Sequence, residues 1–508
     1  MATTVANEDS KTPSSPELAI IDSHTDDRGH TDGLDDAYLQ ASTFSRFYRG
    51  VLFQMILFGA LSFVGPAISD AISNLGGGGL STPYLGNLAN SLDYAASCLV
   101  AFMGGPLVNK FGIKWSCMIA AVSMPLAGSS YYVSAKYGID WYLLFSKGLL
   151  WPFFTSRRRR RCYHTPNKMI GASIWVRKPL NLSFGRTVDT DDLGLGIWSA
   201  MRSSGSVMGG AINFSTNYSK SSVGGIAWYT YLIFVGFECT GVIWAFLLSP
   251  TQLVRRRDGS KIIMPSRISW KQEFAALLKH LQRKKTWLLF LPAFYSFFYG
   301  GTMGTYLSLH FSVRARALSS LIIPSVTIPI VIAYGRLLDL TRWSQPKRAW
   351  IAFALWVIPQ TACFIWIGIQ YSKFGSATLG LDYEQDGRRW AVAYVPYLII
   401  FTTGYWTQLS LYWILGTFST DIGSSSRTGG LFRAFETAGQ AVSYAINSTS
   451  GASPIVPFYV NFAILIITVP CMVLLIRMVP EAPCDTDIDA GNAVVIEGIP
   501  AKDQTMAT

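Results

Sequence analysis

The feature that most constrains this chain is a succession of long apolar stretches joined by polar segments. A helix needs about 20 mostly apolar residues to cross a bilayer, and backbone groups in lipid must pair within their own segment. Twelve stretches approach that length, at residues 51–72, 91–108, 115–137, 141–155, 194–214, 227–248, 287–311, 318–338, 349–370, 390–418, 430–447 and 455–478. We number them spans one to twelve. They predict an all-α polytopic protein with about 12 transmembrane helices and the lipid bilayer as its surroundings.

Composition agrees with a membrane protein rather than a soluble one. Hydrophobic residues make up 50% of the 508 residues and charged residues only 14%, whereas soluble domains carry roughly 25% charged residues. The net charge of +12 could by itself indicate a nucleic-acid partner, but the basic residues lie between the apolar spans. The positive-inside rule accounts for them there, so we predict no nucleic-acid binding.

The distribution of basic residues predicts the topology. The loops after spans two, four, six, eight and ten hold about 25 Lys and Arg residues, and the opposite loops hold about six. This asymmetry predicts that both termini are cytoplasmic. The chain then divides into an acidic tail (1–45), a first half (46–250), a cytoplasmic linker (251–286), a second half (287–478) and a second acidic tail (479–508). We expect both tails to be disordered because they are charged.

Two segments repeat at an offset of 234 residues. GIWSAMRSSGSVMGGAIN (196–213) and GLFRAFETAGQAVSYAIN (430–447) are identical at six of eighteen positions. A shorter match relates GPLVN (105–109) to GRLLD (335–339), at an offset of 230. Both matches relate spans that are six apart, so they predict two parallel six-helix halves. The repeated segments are rich in Gly, Ala and Ser, which let helices approach closely.

Charged residues inside the predicted spans are candidates for function, because an ionisable group in the membrane is costly. The candidates are Asp93, Arg202, Glu238, Arg433 and Glu436. The repeat places Arg202 and Glu436 at equivalent positions. Glu238 lies near the middle of span six and suits a group that takes up and releases a coupling proton. The simpler alternative for Glu238 is a protonated side chain that is hydrogen-bonded to a neighbouring helix.

Polar and aromatic side chains in two spans could line a solute pocket. We single out Gln54 in span one, and Tyr405 and Gln408 in span ten, although aromatic residues in membrane spans also serve packing. The seven cysteines form no CxxC pair, and the sequence holds no nucleophile–base motif. We therefore predict no metal, no cofactor and no enzymatic activity.

The loop after span two, GGPLVNKFGIK, resembles the signature Gly-x-x-x-Asp-Arg-x-Gly-x-Arg/Lys of the major facilitator superfamily. The signature positions hold Gly105, Asn109, Lys110, Gly112 and Lys114, and Gly335 and Asp339 hold the corresponding places in the second half. The resemblance implies a cytoplasmic latch whose charge pairs favour one access state. Because Asn109 replaces the usual Asp, the first-half side of such a latch loses a charge.

A closer resemblance is to the fungal branch of the "uncoordinated"-type, Unc-ninety-three-like proteins. It is carried by YRGVLFQMILFGALSFVGPAISDAISNLGGGG, GIWSAMRSSGSVMGGAINF and SSRTGGLFRAFETAGQAVSYAINS. In the superfamily, spans five and eleven line a central cavity, so the resemblance implies that Arg202 and Glu436 face each other across it. Two alternatives are a pair that closes the cytoplasmic ends, and a pairing of Arg433 with Glu436 within one helix.

These resemblances imply a secondary transporter that moves a small solute by rocking two halves, with proton coupling as a further hypothesis. The alternative is a regulatory or trafficking subunit for another membrane protein, which is the role of animal proteins of this type. One segment departs from the resemblance. Span four has only 15 residues, contains Lys147, and ends in a basic segment at 152–193. That segment is either a gene-model error or a real insertion behind a shortened span.

Overall fold

The structure is a computed structural model. It describes residues 40–102, 113–150, 190–250, 253–255, 270–340, 342–374, 380–418, 422–450 and 453–481. The first half contains the helices α1 (Thr43–Arg49), α2 (Val51–Val64), α3 (Pro66–Ser73), α4 (Pro83–Phe102), α5 (Ile113–Tyr137), α6 (Asp140–Phe145), α7 (Thr190–Asn217) and α8 (Trp228–Leu247). Helix α9 (Trp270–Leu281) lies in the linker. The second half contains α10 (Lys284–Tyr295), α11 (Tyr299–His310), α12 (Val313–Leu338), α13 (Gln345–Phe374), α14 (Gly387–Phe418), α15 (Ile422–Ile446) and α16 (Ile455–Arg477). The chain is therefore all-α, as predicted.

The long helices fall into two groups by hydropathy. Five segments of the described chain are long and apolar enough to cross a membrane: Val51–Ser73, Trp228–Leu247, Val313–Leu338, Gln345–Phe374 and Ile455–Arg477. The other long helices carry polar side chains on the faces that they bury. Helix α4, for example, buries Asn87 and Asn90, which lowers its mean hydropathy without exposing polar groups to lipid. The chain is an integral membrane protein.

Two of the predicted spans are broken at equivalent places in the two halves. Span one is divided between α2 and α3 at Gly65, and Pro66 is the first residue of α3. Span seven is divided between α10 and α11 at residues 296–298, four residues after Pro292. Proline lacks the N–H that would continue a helical ladder, which accounts for the break at Pro66. Pro292 lies inside α10, and its carbonyl still accepts from the N–H of Ser296 at 3.1 Å. Both breaks lie at the centre of the bundle.

The two halves pack against each other through a two-fold arrangement of four helices. Helix α7 (span five) packs along α12 (span eight), and α15 (span eleven) packs along α4 (span two). Because spans five and eleven, and spans two and eight, are the pairs related by the sequence repeat, each contact is the image of the other. The repeat thus predicted the parallel halves correctly.

The fourth span differs from a regular helix. Helix α6 ends at Phe145 and continues as one π-helical turn, Ser146–Leu150. Helix α7 begins at Thr190, so the last four residues of the predicted basic segment 152–193 are helical, and the segment's predicted end is too late. Its remaining residues lie outside the described chain. The same holds for residues 1–39 and 482–508 of the acidic tails, and for Gly105, Asn109, Lys110 and Gly112 of the signature loop.

Candidate functional site

A central cavity of about 470 Å³ lies between the two halves, at the level of the two helix breaks. Gly65 and Pro66 line it from the first half, and Phe297, Tyr299 and Gly300 line it from the second. Helices α4 and α7 face α15 and α14 across the remaining wall. A cavity of this volume is within the usual range for one small-molecule ligand.

Most of the charged groups in the cavity wall are paired. The wall contains three cations and four carboxylates. The ion pairs are Lys147–Asp93 at 3.1 Å, Arg202–Asp70 at 2.7 Å, and Arg433–Glu436. The first two belong to the first half and the third to the second half, so the described chain has no ion pair between the halves in this cavity.

The predicted pairing of Arg202 with Glu436 is therefore not formed in this structure. Both residues line the cavity. Arg202, however, donates from Nη2 to Asp70 Oδ2, and Glu436 Oε1 accepts from Arg433 and from Gln408 Nε2, the latter at 2.9 Å. The alternative pairing within one helix, between residues three positions apart, is the one that is present. The pair within one helix can form at any separation of the halves, whereas a pair between Arg202 and Glu436 requires the halves to be close together.

Glu238 is the carboxylate without a counter-ion. It lies in α8, its side chain is 4% exposed, and it faces the cavity beside Gly128 of α5. A Cβ atom at position 128 would collide with Glu238 Oε2, so the glycine makes room for the carboxyl group. Among the described residues, Glu238 has no salt-bridge partner, and its Oε2 accepts no hydrogen bond. Lys147 is the charged group that acts on it electrostatically.

The second half contributes most of the aromatic wall. Tyr405 packs edge-to-face on Phe297 with ring centroids 5.3 Å apart, as expected for a pocket-lining residue of span ten. Tyr444 stacks on Tyr94 of the first half at 5.4 Å, so the rings bridge the two halves. Gln408 also lines the cavity. The first half thus contributes five of the seven charged side chains of the described wall, and the second half contributes Arg433, Glu436 and most of the aromatic rings.

Gln54 does not line this cavity, and its prediction as a pocket residue is wrong. Its Nε2 donates to the carbonyl of Tyr48 at 2.7 Å, and its Oε1 accepts from the backbone N–H of Ser249 at 2.8 Å. The amide therefore links α2 to α1, which contains Tyr48, and to Ser249, which follows α8. A polar residue in a hydrophobic helix can satisfy itself in this way with no ligand.

The described residues of the predicted latch do not line the cavity. Lys114 lies with its Nζ 5.7 Å from the ring centroid of Phe246, and a Cβ atom at Gly335 would meet open space. Asp339 caps the end of α12. Burial raises the pKa of Asp339 to about 7, and Arg348 opposes this increase.

At the opposite end of the bundle, the halves are held together by an arginine. Gly76, Gly77, Gly78 and Gly79 all have φ between 55° and 76°, a region that only glycine adopts readily. Arg316 of α12 is fully buried and donates to the carbonyls of Leu75 at 2.8 Å, Gly76 at 2.9 Å and Gly224 at 2.8 Å. We call this the glycine-turn end. All three acceptors belong to the first half and Arg316 belongs to the second, so these hydrogen bonds join the two halves at this end.

Sequence analysis missed several residues of the wall. Lys147 was seen only as a defect of a short span, yet it is the counter-ion of Asp93. Tyr94, Tyr299 and Tyr444 gave no signal because tyrosine occurs in most of the spans, where it also serves packing. Spacing within the repeat could have identified Gln440, which lies one helical turn after Glu436 on the same face.

Comparison with solved structures defines the class of the fold. A D-xylose–proton symporter superposes with a TM-score of 0.51 at 13% identity, over 87% of this chain and 99% of that chain. A peptide transporter of the POT type, solved with sulfate, superposes with a TM-score of 0.51 at 12% identity, over 84% and 94% of the two chains. At these identities the likeness shows the fold alone, which is that of the major facilitator transporters.

Comparison of sequences defines the family. No protein-family model matches the chain. It is 30% identical over 413 residues to the notoamide biosynthesis cluster protein O′ of Aspergillus versicolor, covering 79% of this chain and 83% of that protein. It is 24% identical over 450 residues to UNC93-like protein 1 of Arabidopsis thaliana, covering 87% and 93%. The chain belongs to the UNC93-like family of the major facilitator superfamily.

Proposed function

We propose that this protein is a secondary transporter that moves a small solute by exposing the central cavity to the two sides of the membrane in turn. The observation that carries the proposal is the position of the cavity between the two halves, with charged and aromatic side chains from both in its wall. A rocking motion of the halves would then open one end as it closes the other. The transporter fold of the structural neighbours supports the same function.

We also propose an orientation. The linker end of the bundle, which contains α9, would face the cytoplasm, and the glycine-turn end the opposite side. Lys279, Arg283, Lys284 and Lys285 lie at the linker end, in agreement with the positive-inside rule. Both termini would then be cytoplasmic.

Glu238 is the group that we propose for proton coupling. A carboxylate buried without a counter-ion is costly in its charged form, and a proton removes that cost. Each of the other carboxylates of the wall forms an ion pair with a cation of its own half. Protonation of Glu238 would therefore leave these three ion pairs intact.

The test uses no solute, because it measures access to the cavity directly. In a full-length chain whose seven native cysteines are replaced, Ser97→Cys places one thiol in the cavity wall. A membrane-impermeant maleimide is applied to right-side-out and to inside-out vesicles at pH 6 and pH 8. We expect labelling from both sides, with a pH-dependent ratio between the two sides.

Two variants control this experiment. Glu238→Gln should abolish the pH dependence of the ratio, whereas Glu481→Gln, which removes an exposed carboxylate outside the cavity, should leave it intact. Labelling from one side only under all conditions would contradict transport and is the result expected of a non-transporting subunit. A ratio that keeps its pH dependence in Glu238→Gln would remove Glu238 from the coupling role.

A further inference from the structure

The polar atoms of the cavity wall that lack a partner are mostly acceptors. Among the described lining residues, Glu238 Oε2, Glu436 Oε2 and Gln440 Oε1 accept no hydrogen bond, and Arg433 Nε donates none. The side chains of Glu238, Glu436 and Gln440 are 4%, 0% and 6% exposed. Buried polar groups of this kind are normally satisfied by protein, water or a ligand. Three acceptors and one donor of the lining residues are therefore without a partner among the described residues.

The charges of the wall indicate which solute charge the cavity favours. Of the four carboxylates among the described lining residues, three are matched by a cation, and Glu238 has no ion-pair partner in the described part of the chain. Lys147 cannot fully neutralise both of the carboxylates that it faces, because its Nζ is already bonded to Asp93 at 3.1 Å. An anionic solute would add a second uncompensated negative charge beside Glu238. A solute with one positive charge would instead supply the counter-ion that Glu238 lacks.

The shape of the wall limits the remainder of the solute. Opposite Glu238, the second half presents a surface of rings that includes Tyr299, Phe401, Tyr405 and Tyr412. Ring surfaces of this kind hold apolar or aromatic groups, and tyrosine faces also attract cations. The ring wall and Glu238 lie on different halves, so a molecule that spans the cavity can contact both.

We infer that the cavity takes an amine: a solute with one protonated nitrogen on an apolar or aromatic skeleton, with Glu238 as the counter-ion. The inference rests on the proposed transport function and specifies its substrate class. It also explains how a proton could be exchanged for the solute. A proton and an ammonium group each neutralise the same carboxylate, so Glu238 holds one or the other. Lys147 and its partner Asp93 are the charged groups that face this exchange.

Three compounds that share one ring test the charge preference. They are 2-phenylethylamine, 2-phenylethanol and 3-phenylpropionate, which are cationic, neutral and anionic at pH 8. Binding to the purified full-length chain in nanodiscs is measured by calorimetry, with empty nanodiscs subtracted. We expect the amine to bind at least about tenfold more tightly than the alcohol, which corresponds to about 1.4 kcal/mol, and the acid to bind most weakly.

Variants of Glu238 separate the counter-ion from a packing role. Glu238→Gln should bind the amine and the alcohol equally, because the amide retains the shape and loses the charge. Glu238→Asp retains the charge and should keep the preference for the amine, as should Glu481→Gln outside the cavity. If only the shape of residue 238 mattered, Glu238→Asp would weaken binding of the amine more than Glu238→Gln does.

The outcomes that overturn the inference are specific. Equal binding of amine and alcohol to the wild-type chain, tighter binding of the acid, or no binding of the amine would each do so. Persistence of the amine preference in Glu238→Gln would also overturn it. The labelling experiment above contains no solute. A chain that transports a solute of another class would therefore fail the amine-binding test and still show labelling from both sides.

Discussion

The carboxyl group of Asp339 lies just beyond the end of α12, where its Oδ2 is buried and accepts no hydrogen bond from the described chain. Burial raises the pKa of Asp339 from 3.8 to about 7, against the opposing charge of Arg348. Because the pKa in the folded state is above the unfolded value, the contribution of this group to stability is complete below pH 3.8. It is lost progressively as the pH rises to about 7.

Replacement of Asp339 by asparagine should remove this loss. At pH 8 we expect Asp339→Asn to be more stable than the wild-type chain, by on the order of 1 kcal/mol after allowance for the partial exposure of the group. Near pH 4.5 the difference should be much smaller. The measurement is the apparent melting temperature of the purified full-length chain at both pH values. An equal difference at the two pH values would contradict the account, and Glu481→Gln serves as the control for loss of an exposed carboxylate.

Sequence reasoning succeeded for some single residues and failed for others, for physical reasons. Glu238 was found because an acid in the middle of an apolar span has few explanations. Gln54 was misjudged because a sequence does not reveal that two backbone groups, of Tyr48 and Ser249, satisfy its amide. Lys147 was passed over because the span around it looked defective. Hydropathy reports that a polar group is in the membrane and says nothing about what it faces.

At the scale of helices, close approach depends on particular glycines. Gly210 of α7 packs on α12, where an added Cβ atom would come within 2.7 Å of the Cα atom of Leu321 and closer still to the carbonyl of Ser320. Gly236 of α8 is also in a helix, but an added Cβ atom there would meet nothing within 4 Å. The two positions therefore form a matched pair that differs only in the space around them.

Alanine substitutions should separate these two glycines. We expect Gly210→Ala to destabilise the chain by about 1–3 kcal/mol, because α7 and α12 must move apart. Gly236→Ala should leave stability unchanged or raise it by up to about 1 kcal/mol, since alanine is the better helix former. Apparent melting temperatures of the two full-length variants provide the comparison. Equal effects of the two substitutions would show that the contact between α7 and α12 is not close.

The helices themselves were largely predictable, and their irregularities were not. Apolar length located most of the spans, but α4 begins at Pro83, well before predicted residue 91, and α15 begins at Ile422, well before predicted residue 430. The repeat fixed which spans are equivalent. The break at residues 296–298 was not anticipated, because the apolar pattern continues through it. The start of α7 at Thr190 was placed too late, because residues 190–193 are polar and resemble a loop. Periodicity detects lipid-facing surfaces better than it detects interruptions at a buried cavity.

At the scale of the whole molecule, the two halves are joined most firmly at the glycine-turn end. Besides the bonds of Arg316, the amide of Asn87 donates to the carbonyl of Asn447 at 2.8 Å, and that of Asn213 to Ser320 Oγ at 3.1 Å. Asn213 and Asn447 are the last identical residues of the sequence repeat. The repeat therefore places an asparagine at the same level of each interface, where polar contacts can form or break as the halves move.

Arg316 should control which end of the molecule is closed. Arg316→Met removes the three hydrogen bonds to the first half and leaves a side chain of similar length. We expect this variant to favour the state that is open at the glycine-turn end. Arg336→Met, which changes an exposed arginine on the same helix, is the matched control and should leave the balance of states unchanged.

Two distances between spin labels, one at each end of the bundle, test transport by alternating access. In a cysteine-free full-length chain, labels at Val223 and Arg388 report on the glycine-turn end, and labels at Trp115 and Leu340 report on the linker end. If the two halves rock about the cavity, Arg316→Met lengthens the first distance and shortens the second. Distances that stay unchanged, or that change in the same direction at both ends, would contradict transport by alternating access.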